Sequence, residues 1–381
     1  MTEAAIFVVN AGSSSVKVAV FGAEETPLLT LSVSEIGGAA RLKLDAMERA
    51  CDAPDHEAAI GLILGSCEER GFPVARFSAA GHRVVHGGPN LTEPVLIDAA
   101  AIAEIEACVP IAPLHNLHNL AAIRAMRRRA PGLPQVAVFD TAFHATNPEV
   151  AVRYAIPASE AAKGLRRYGF HGISYASLTE RLPGLLGRPL PARLLAFHLG
   201  NGASLCAIRE GRSVASSMGY SPLDGLTMGT RSGQIDGNAV LRLAEDHGIA
   251  GAARILNRES GLLALGGASD MRALQAAGTA EAGFAVAHFC YWAVRHAGSA
   301  VAAMGGLDAV AFTGGIGEND RDVRARICEG LGFLGVTVDA EANARNAPRI
   351  DAGGAVAVAI VPAEEEAWIA AVTRRLVGGA A

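Results

Sequence analysis

Two short turns rich in small residues and hydroxyls carry the first chemical signal. Asn10 to Ser15 reads NAGSSS, with Lys17 just beyond it. Small side chains let backbone N–H groups approach an oxyanion closely, and Ser13, Ser15 and Lys17 add donors. A plain hairpin turn uses the same residue types. The chain has only three lysines, however (Lys17, Lys43 and Lys163), and one of them stands here. The segment Leu199 to Ser204, LGNGAS, has the same character, and the repetition favours phosphate binding over two unrelated turns. A third segment, FTGGIGEN (Phe312 to Asn319), runs an apolar strand into glycines and then a charged helix start. Bare glycine backbone there suits a flat ring such as adenine.

Charged side chains in apolar or small-residue settings form the second signal. Arg83 sits at the edge of a strand in GHRVVHGG (81–88), and Arg231 lies in the loop LTMGTRSG (226–233). A guanidinium held this way can grip carboxylate or phosphate with two parallel bonds, a structural salt bridge being the alternative. Asp140 ends the strand of VFDTAFH (138–144), and Glu364, Glu365 and Glu366 follow another in VPAEEEAW. Acids after strands in α/β folds face the ligand crevice and suit Mg²⁺. Glutamates in a first helical turn are also favoured by the helix dipole alone. RRYGFHG (166–172) carries Phe170 and His171, and PLHN (113–116) carries His115. The spacing of His115 and His118 would fit a metal pair, but the neighbouring sequence offers no third ligand.

These residues need a scaffold, and the hydrophobic pattern supplies one. Strands are expected at 5–9, 16–21, 78–85, 135–139, 194–200, 310–315 and 355–361. Helices are expected at 98–108, 117–130, 237–247, 250–258, 280–304 and from about 364 onward. Strands alternating with helices argue for an α/β layered fold. The unit LLAFHLG, GNGAS and an alternating strand repeats the strand–turn–strand of residues 5–21, so two domains of duplicated topology are expected. Asn147, Pro148 and Pro157 punctuate the chain between them. The expected domains are 1–148, joined by a C-terminal helix at 366–381, and 149–365. Actin-like and sugar-kinase-like folds have this plan, with one phosphate hairpin per half and ATP in the cleft between.

Composition narrows the classes. A chain of 381 residues, half of them hydrophobic, is long enough for two cores. A net charge of −5 gives no electrostatic reason to bind nucleic acid or anionic lipid. The basic run Arg124 to Arg129 reads as a solvated helix face. The start, MTEAAIFVVNAG, reads as a first strand and not a signal peptide. The apolar stretch 282–307 is interrupted by His288 and Arg295, so a buried helix fits it better than a membrane span. Six scattered cysteines without a CxxC pair fit free thiols in a reducing compartment, and a cytoplasmic location is expected.

Taken in order, NAGSSSVK, GHRVVHGG, APLHN, VFDTAFH, RRYGFHG, HLGNGAS, LDGLTMGTRSG, SGLL with SDMR, FTGGIGEN and the VPxxEE ending resemble the acetate kinase family. The set runs from residue 8 to about 366. The resemblance implies two actin-like, ribonuclease H-like domains and ATP with Mg²⁺ or Mn²⁺. It further implies acetate and acetyl phosphate as small-molecule partners, and a homodimer. It assigns Asn10, Ser13, Ser15 and Lys17 to the first phosphate hairpin, and His198, Gly200, Asn201 and Gly202 to the second. Asp270, Arg272, Gly314, Gly315, Ile316, Gly317 and Asn319 would hold adenosine. Asp140 and Glu365, with Asn10, would position the metal. Arg83 and Arg231 would grip the acyl carboxylate and the phosphoryl in flight, with His171 stabilising its charge and His115 in support. Val85, Leu114, Phe170 and Pro222 would enclose the acyl methyl. Departures are HGISY (171–175) where the family has HGTSH, AEEE (363–366) where it has TNEE, and Leu117 and His118 in PLHNLHN.

A carboxylate acceptor explains what the residue set lacks. With a pKa of roughly 4 it is ionised at neutral pH and needs no general base. The site must instead neutralise charge, which fits direct in-line phosphoryl transfer. A sugar or glycerol kinase would need an Asp base for a hydroxyl acceptor and would not need paired Arg83 and Arg231. A non-enzymatic actin-like nucleotide switch would release no ADP in response to an acid.

Overall fold

The computed structural model describes residues 4–113 and 115–379, which fall into two compact units. One comprises Met1–Phe143 with Glu364–Ala381, the other His144–Ala363.

The first unit is built on an eight-stranded sheet of β1 (Ala5–Ala11), β2 (Val16–Phe21), β3 (Pro27–Ser34), β4 (Arg41–Leu44), β5 (Met47–Ala50), β6 (Phe77–Val84), β7 (Val95–Leu96) and β8 (Gln135–Phe139). Their spatial order is β5-β4-β3-β2-β1-β6-β8-β7. The β1–β2–β3 meander is antiparallel, while β6 and β8 add in parallel. A central strand covered on both faces must be apolar throughout, as AIFVVNA is. The odd-numbered residues Ala5, Phe7, Val9 and Ala11 of β1 join a core with helices His56–Glu69 and Asn116–Arg129. Helix Glu365–Gly378 covers the other face, so close to β6 that a Cβ on Gly81 would lie 2.4 Å from Thr373 Oγ1.

The second unit holds β9 (Arg193–Leu199), β10 (Ala203–Arg209), β11 (Arg212–Ser216), β12 (Ala309–Thr313) and β13 (Ala357–Ile360), ordered β11-β10-β9-β12-β13. Here too a three-strand antiparallel meander is extended by two parallel strands. That is the plan of β3-β2-β1-β6-β8, so the duplication seen in the two turns extends to strand order and direction. Helix Ala280–Met304, the buried helix expected near 282–307, packs against β9, β10 and β11. Among the described residues no helix is long and apolar enough to cross a membrane.

The sequence reading needs several corrections. The strand expected at 310–315 stops at Thr313, because Gly314 takes a left-handed φ of 79° and opens a short helix, Gly314–Asn319. The helices expected at 237–247 and 250–258 form one run, Gly237–Arg258, kinked at Gly248. Strands β3 to β5 and helices His56–Glu69 and Gly172–Leu186 were not anticipated. The first passage between units falls at Phe143 and His144. His144 packs into the second unit, its ring bonding Ser213 Oγ and the Phe170 carbonyl, both at 2.9 Å. The basic helix Asn116–Arg129 presents Arg124 to Glu106 and Arg128 to Glu57 on exposed ground, as a solvated face does.

Candidate active site

In the first unit the β1–β2 hairpin pairs Asn10 with Lys17, and Gly12 N–H closes the turn on Ser15 O at 2.7 Å. Lys17 and Ser13 point to solvent and Ser15 is half-buried. The turn is anchored from below. His56 Nε2 donates to Gly12 O at 2.7 Å, and Asn119 Nδ2 donates to Ala11 O at 2.8 Å. Asn119 Oδ1 also accepts from Val85 N–H at 3.1 Å, while Asn116 holds both the N–H and the C=O of His86. These two buried amides thus fix the hairpin and the end of β6 to one helix. Sequence reasoning passed over them, though amides three apart at an apolar helix start were the available signal. His115 stands at the N-cap of that helix, and His118 stacks on His56 with ring centroids 4.9 Å apart. Among the described residues no three His, Cys, Asp or Glu side chains gather as a metal cage, so the pairing of His115 with His118 as ligands gains no third partner.

Arg83 is already engaged. Its Nε and Nη2 donate to Asp140 at 3.1 and 2.7 Å, and its Nη1 lies 3.9 Å from Glu365 Oε2. Burial works against the guanidinium charge, but Asp140, Glu365 and Glu366 more than offset it and raise the pKa. The two-bond grip expected on substrate is therefore made to Asp140. Two carboxylates converging on one guanidinium leave an excess of negative charge. That donor set fits a hard cation completing its shell with phosphate oxygens and water. Val85 is half-buried just past the end of β6. Glu364 and Glu366 line a cavity of about 340 Å³ together with Lys17, Lys43 and Asp45.

The second unit gathers a different charge. The β9–β10 hairpin sets His198 opposite Ser204, and Gly200 N–H closes the turn on Gly202 O at 3.0 Å. His171, at a left-handed φ of 58° before helix Gly172–Leu186, stacks on His198 at 4.1 Å between centroids. Left-handed backbone is uncommon for a side chain with a Cβ and is found disproportionately at functional sites. His171 Nδ1 lies 2.9 Å from Ser204 Oγ, and His198 Nδ1 lies 2.8 Å from Ser174 Oγ. A Cβ built on Gly202 would stand 2.9 Å from Arg231 Nη2 and 3.2 Å from His171 Nε2, so only glycine lets both side chains come this close to the turn. Arg231 donates Nη1 to Pro222 O at 2.5 Å and has no carboxylate partner among the described residues. Burial lowers its pKa. Its loop is braced: Gly229 N–H bonds Asn201 O, Met228 N–H bonds Arg231 O, and Leu262 N–H bonds Met228 O.

A cavity of about 840 Å³ opens beside this hairpin. Gly200, Asn201, Asp270, Arg272, Gly315, Ile316 and Asn319 all line it, so most of the residues assigned to adenosine line one cavity. Gly314 and Gly317 are buried and do not line it. Asp270 caps helix Met271–Ala277 and takes two bonds from Arg272, which hold its carboxyl down to about 2. Glu318, not anticipated, accepts from Gly314 N–H at 2.9 Å and Ala363 N–H at 3.0 Å with the same oxygen. It thereby ties the glycine turn to the segment leading into Glu364.

Asn10, Ser13, Ser15, Lys17, Arg83, Val85, His115, Asp140 and Glu365 thus belong to the first unit. Phe170, His171, His198, Pro222, Arg231 and the adenosine set belong to the second. Leu114 lies outside the described residues.

Comparison with known proteins gives a family match along nearly the whole chain. The Acetokinase family pattern matches residues 5–371. An acetate kinase from Nitrobacter hamburgensis is 45% identical over 387 residues, covering 96% of this chain and 94% of that protein. The crystal structure of Porphyromonas gingivalis acetate kinase superposes with a TM-score of 0.92 at 36% identity, covering 98% of this chain and all of the other. That of a propionate kinase from Francisella tularensis gives 0.93 at 35% identity, again covering 98% and 100%.

Proposed function

Because the chain belongs to the acetokinase family, we propose that it transfers the γ-phosphoryl group of ATP to acetate, giving acetyl phosphate and ADP by reversible in-line displacement. The observation that supports this reading is Arg231: a half-buried cation with no carboxylate partner among the described residues, set against His171 over a glycine turn. A buried charge left uncompensated is costly, so the fold maintains it for an anion that arrives later. A phosphoryl group in flight is such an anion. The acceptor is itself ionised, and no base is needed.

ATP is assigned to the cavity lined by Asp270, Arg272, Gly315 and Asn319, with its phosphates towards Gly200, Asn201 and Gly202. Asp140, Glu365 and Asn10 would hold Mg²⁺ or Mn²⁺, which supplies charge neutralisation for the phosphates when bound. Arg83 spends Nε and Nη2 on Asp140, so its part in orienting the acceptor carboxylate is assigned to Nη1. Arg231 and His171 take the charge that develops on the transferring group. Val85, Leu114, Phe170 and Pro222 are assigned to the acyl methyl. The proposal extends to a cytoplasmic homodimer. Six free cysteines, five of them buried, fit a reducing compartment. Helix Ala280–Met304 exposes Phe284 and Tyr291, an aromatic face suited to a second copy.

A propionate-kinase neighbour makes propionate the second candidate acceptor. The decisive experiment measures ADP release with formate, acetate, propionate and butyrate while trapping acyl phosphate as the hydroxamate. Acetate should lead. One methylene is worth only about 1–3 kcal/mol in an apolar pocket, so propionate should follow closely and butyrate trail. ADP release that ignores the acid and yields no hydroxamate would overturn the proposal.

A further inference from the structure

His171 meets the transferring phosphoryl only if the function proposed above is right, and the role assigned here to its neighbour rests on that reading. One residue below it has no role so far. Tyr175 lies one turn along helix Gly172–Leu186, fully buried, its N–H bonded to His171 O at 3.1 Å. Its hydroxyl stands 2.5 Å from Ser204 Oγ, and the same Ser204 oxygen stands 2.9 Å from His171 Nδ1. Ser204 is also fully buried. Two hydroxyls therefore connect the phenol to the imidazole, on the side of the ring away from Gly202 and Arg231.

The chain has a direction. Burial pushes the phenol pKa well above its ordinary value and keeps it protonated. A protonated phenol 2.5 Å from Ser204 Oγ is placed to donate to it, which leaves the Ser204 proton for His171 Nδ1 at 2.9 Å. A neutral imidazole that accepts at Nδ1 carries its proton on Nε2. Nε2 is the nitrogen that faces Gly202 and Arg231. We propose that Tyr175 is a positioning residue whose hydroxyl relay through Ser204 fixes His171 as the Nε2–H tautomer, aimed to donate to a phosphoryl oxygen. Tyrosine, with an ordinary pKa near 10, holds the relay in one state through the physiological range.

The test pairs a spectroscopic and a kinetic readout on the full chain at pH 8. Nitrogen-15 NMR of the His171 ring in the resting protein should show an unprotonated Nδ1 and a protonated Nε2. Tyr175→Phe keeps the ring and removes the donor, so it should mix the tautomers. It should also lower kcat about tenfold, the worth of one hydrogen bond of about 1.4 kcal/mol, with KM for ATP and acid held within about twofold. Ser204→Ala should do the same, and the double variant should be no worse than Ser204→Ala, because the two act in series. A protonated Nδ1 in the wild type overturns the relay. So does a Tyr175→Phe protein with unchanged tautomer and kcat, or additive losses in the double variant. The NMR arm reads the relay without turnover. If it holds while no acyl phosphate forms, the proposed reaction fails and the relay stands.

Discussion

Gly202→Ala isolates the positioning of Arg231 and His171 better than a change to either side chain. Gly202 is not among the left-handed glycines, so alanine meets no backbone penalty there. The cost falls on what its Cβ would touch, Arg231 Nη2 at 2.9 Å and His171 Nε2 at 3.2 Å. Ordinary contact begins near 3.4 Å, so the guanidinium must retreat by about 0.5 Å and the imidazole by about 0.2 Å. The guanidinium is the far end of a flexible side chain and yields cheaply, which should keep Tm within about 4 °C of wild type. Catalysis is less forgiving: a misplacement of about 1 Å costs roughly 10²-fold, so half of that should cost about tenfold in kcat. KM for ATP should change less than kcat, because Gly202 is assigned to the phosphates alone and does not line the nucleotide cavity that Gly200 and Asn201 line. The assay is coupled ADP release with acetate, run beside a thermal melt. A folded Gly202→Ala protein with kcat within about twofold of wild type would refute the placement of these two groups at the reacting phosphoryl.

Other variants probe the remaining parts. Arg231→Lys replaces a planar fork by a point charge and should lose on the order of 10²-fold in kcat with nucleotide binding intact; near-normal turnover would remove Arg231 from the mechanism. Glu365→Ala should raise the Mg²⁺ concentration needed for half-maximal rate and nearly abolish turnover, whereas Glu364→Asn should be mild. The reverse order in a Mg²⁺ titration would shift the metal assignment by one residue. Glu318→Ala frees two backbone N–H groups behind the glycine turn and should raise KM for ATP about tenfold, the scale of one charge-assisted bond, with Tm reporting whether the turn itself has loosened. Val85→Ala should lower KM for propionate and butyrate while weakening acetate; three unchanged KM values would take Val85 out of the acyl pocket.

The strands and turns were legible because their signals are local. An apolar run, a small-residue turn and an alternating run identify β1–β2 and β9–β10 without tertiary information. The turn from Thr313 into Gly314–Asn319 was legible for the same reason, since glycines before a helix start announce a backbone left open. Strands β3 to β5 were not read: β3 and β4 bury only alternate residues between exposed ones, and MERA is exposed throughout. Asn116, Asn119 and Glu318 were missed because their importance lies in bonds to residues far along the chain, Ala11, Val85 and Ala363 among them. Tyr175 was noticed only as a departure from a motif. Its hydroxyl acquires meaning through Ser204, which is 29 residues away in sequence.

The two arginines show most clearly what sequence alone could not separate. Both sit among small or apolar residues, and both read as carboxylate or phosphate grips. In the structure they are electrostatic opposites. Arg83 is surrounded by Asp140, Glu365 and Glu366, which raise its pKa, and its fork is spent on Asp140. It behaves as a rigid element whose surroundings carry surplus negative charge and call for a cation. Arg231 has a backbone carbonyl as its hydrogen-bond partner, and burial lowers its pKa. It calls for an anion. A kinase acting on a carboxylate needs both demands met together, because a divalent ion and a polyanionic nucleotide arrive as one complex. Neither unmet charge favours the resting fold, and on the function proposed above each would be relieved by the part of the substrate complex that carries the opposite sign. The binding energy released is then drawn from preorganised charge and not from movement of the side chains, which is how such groups stabilise a transition state at little reorganisation cost.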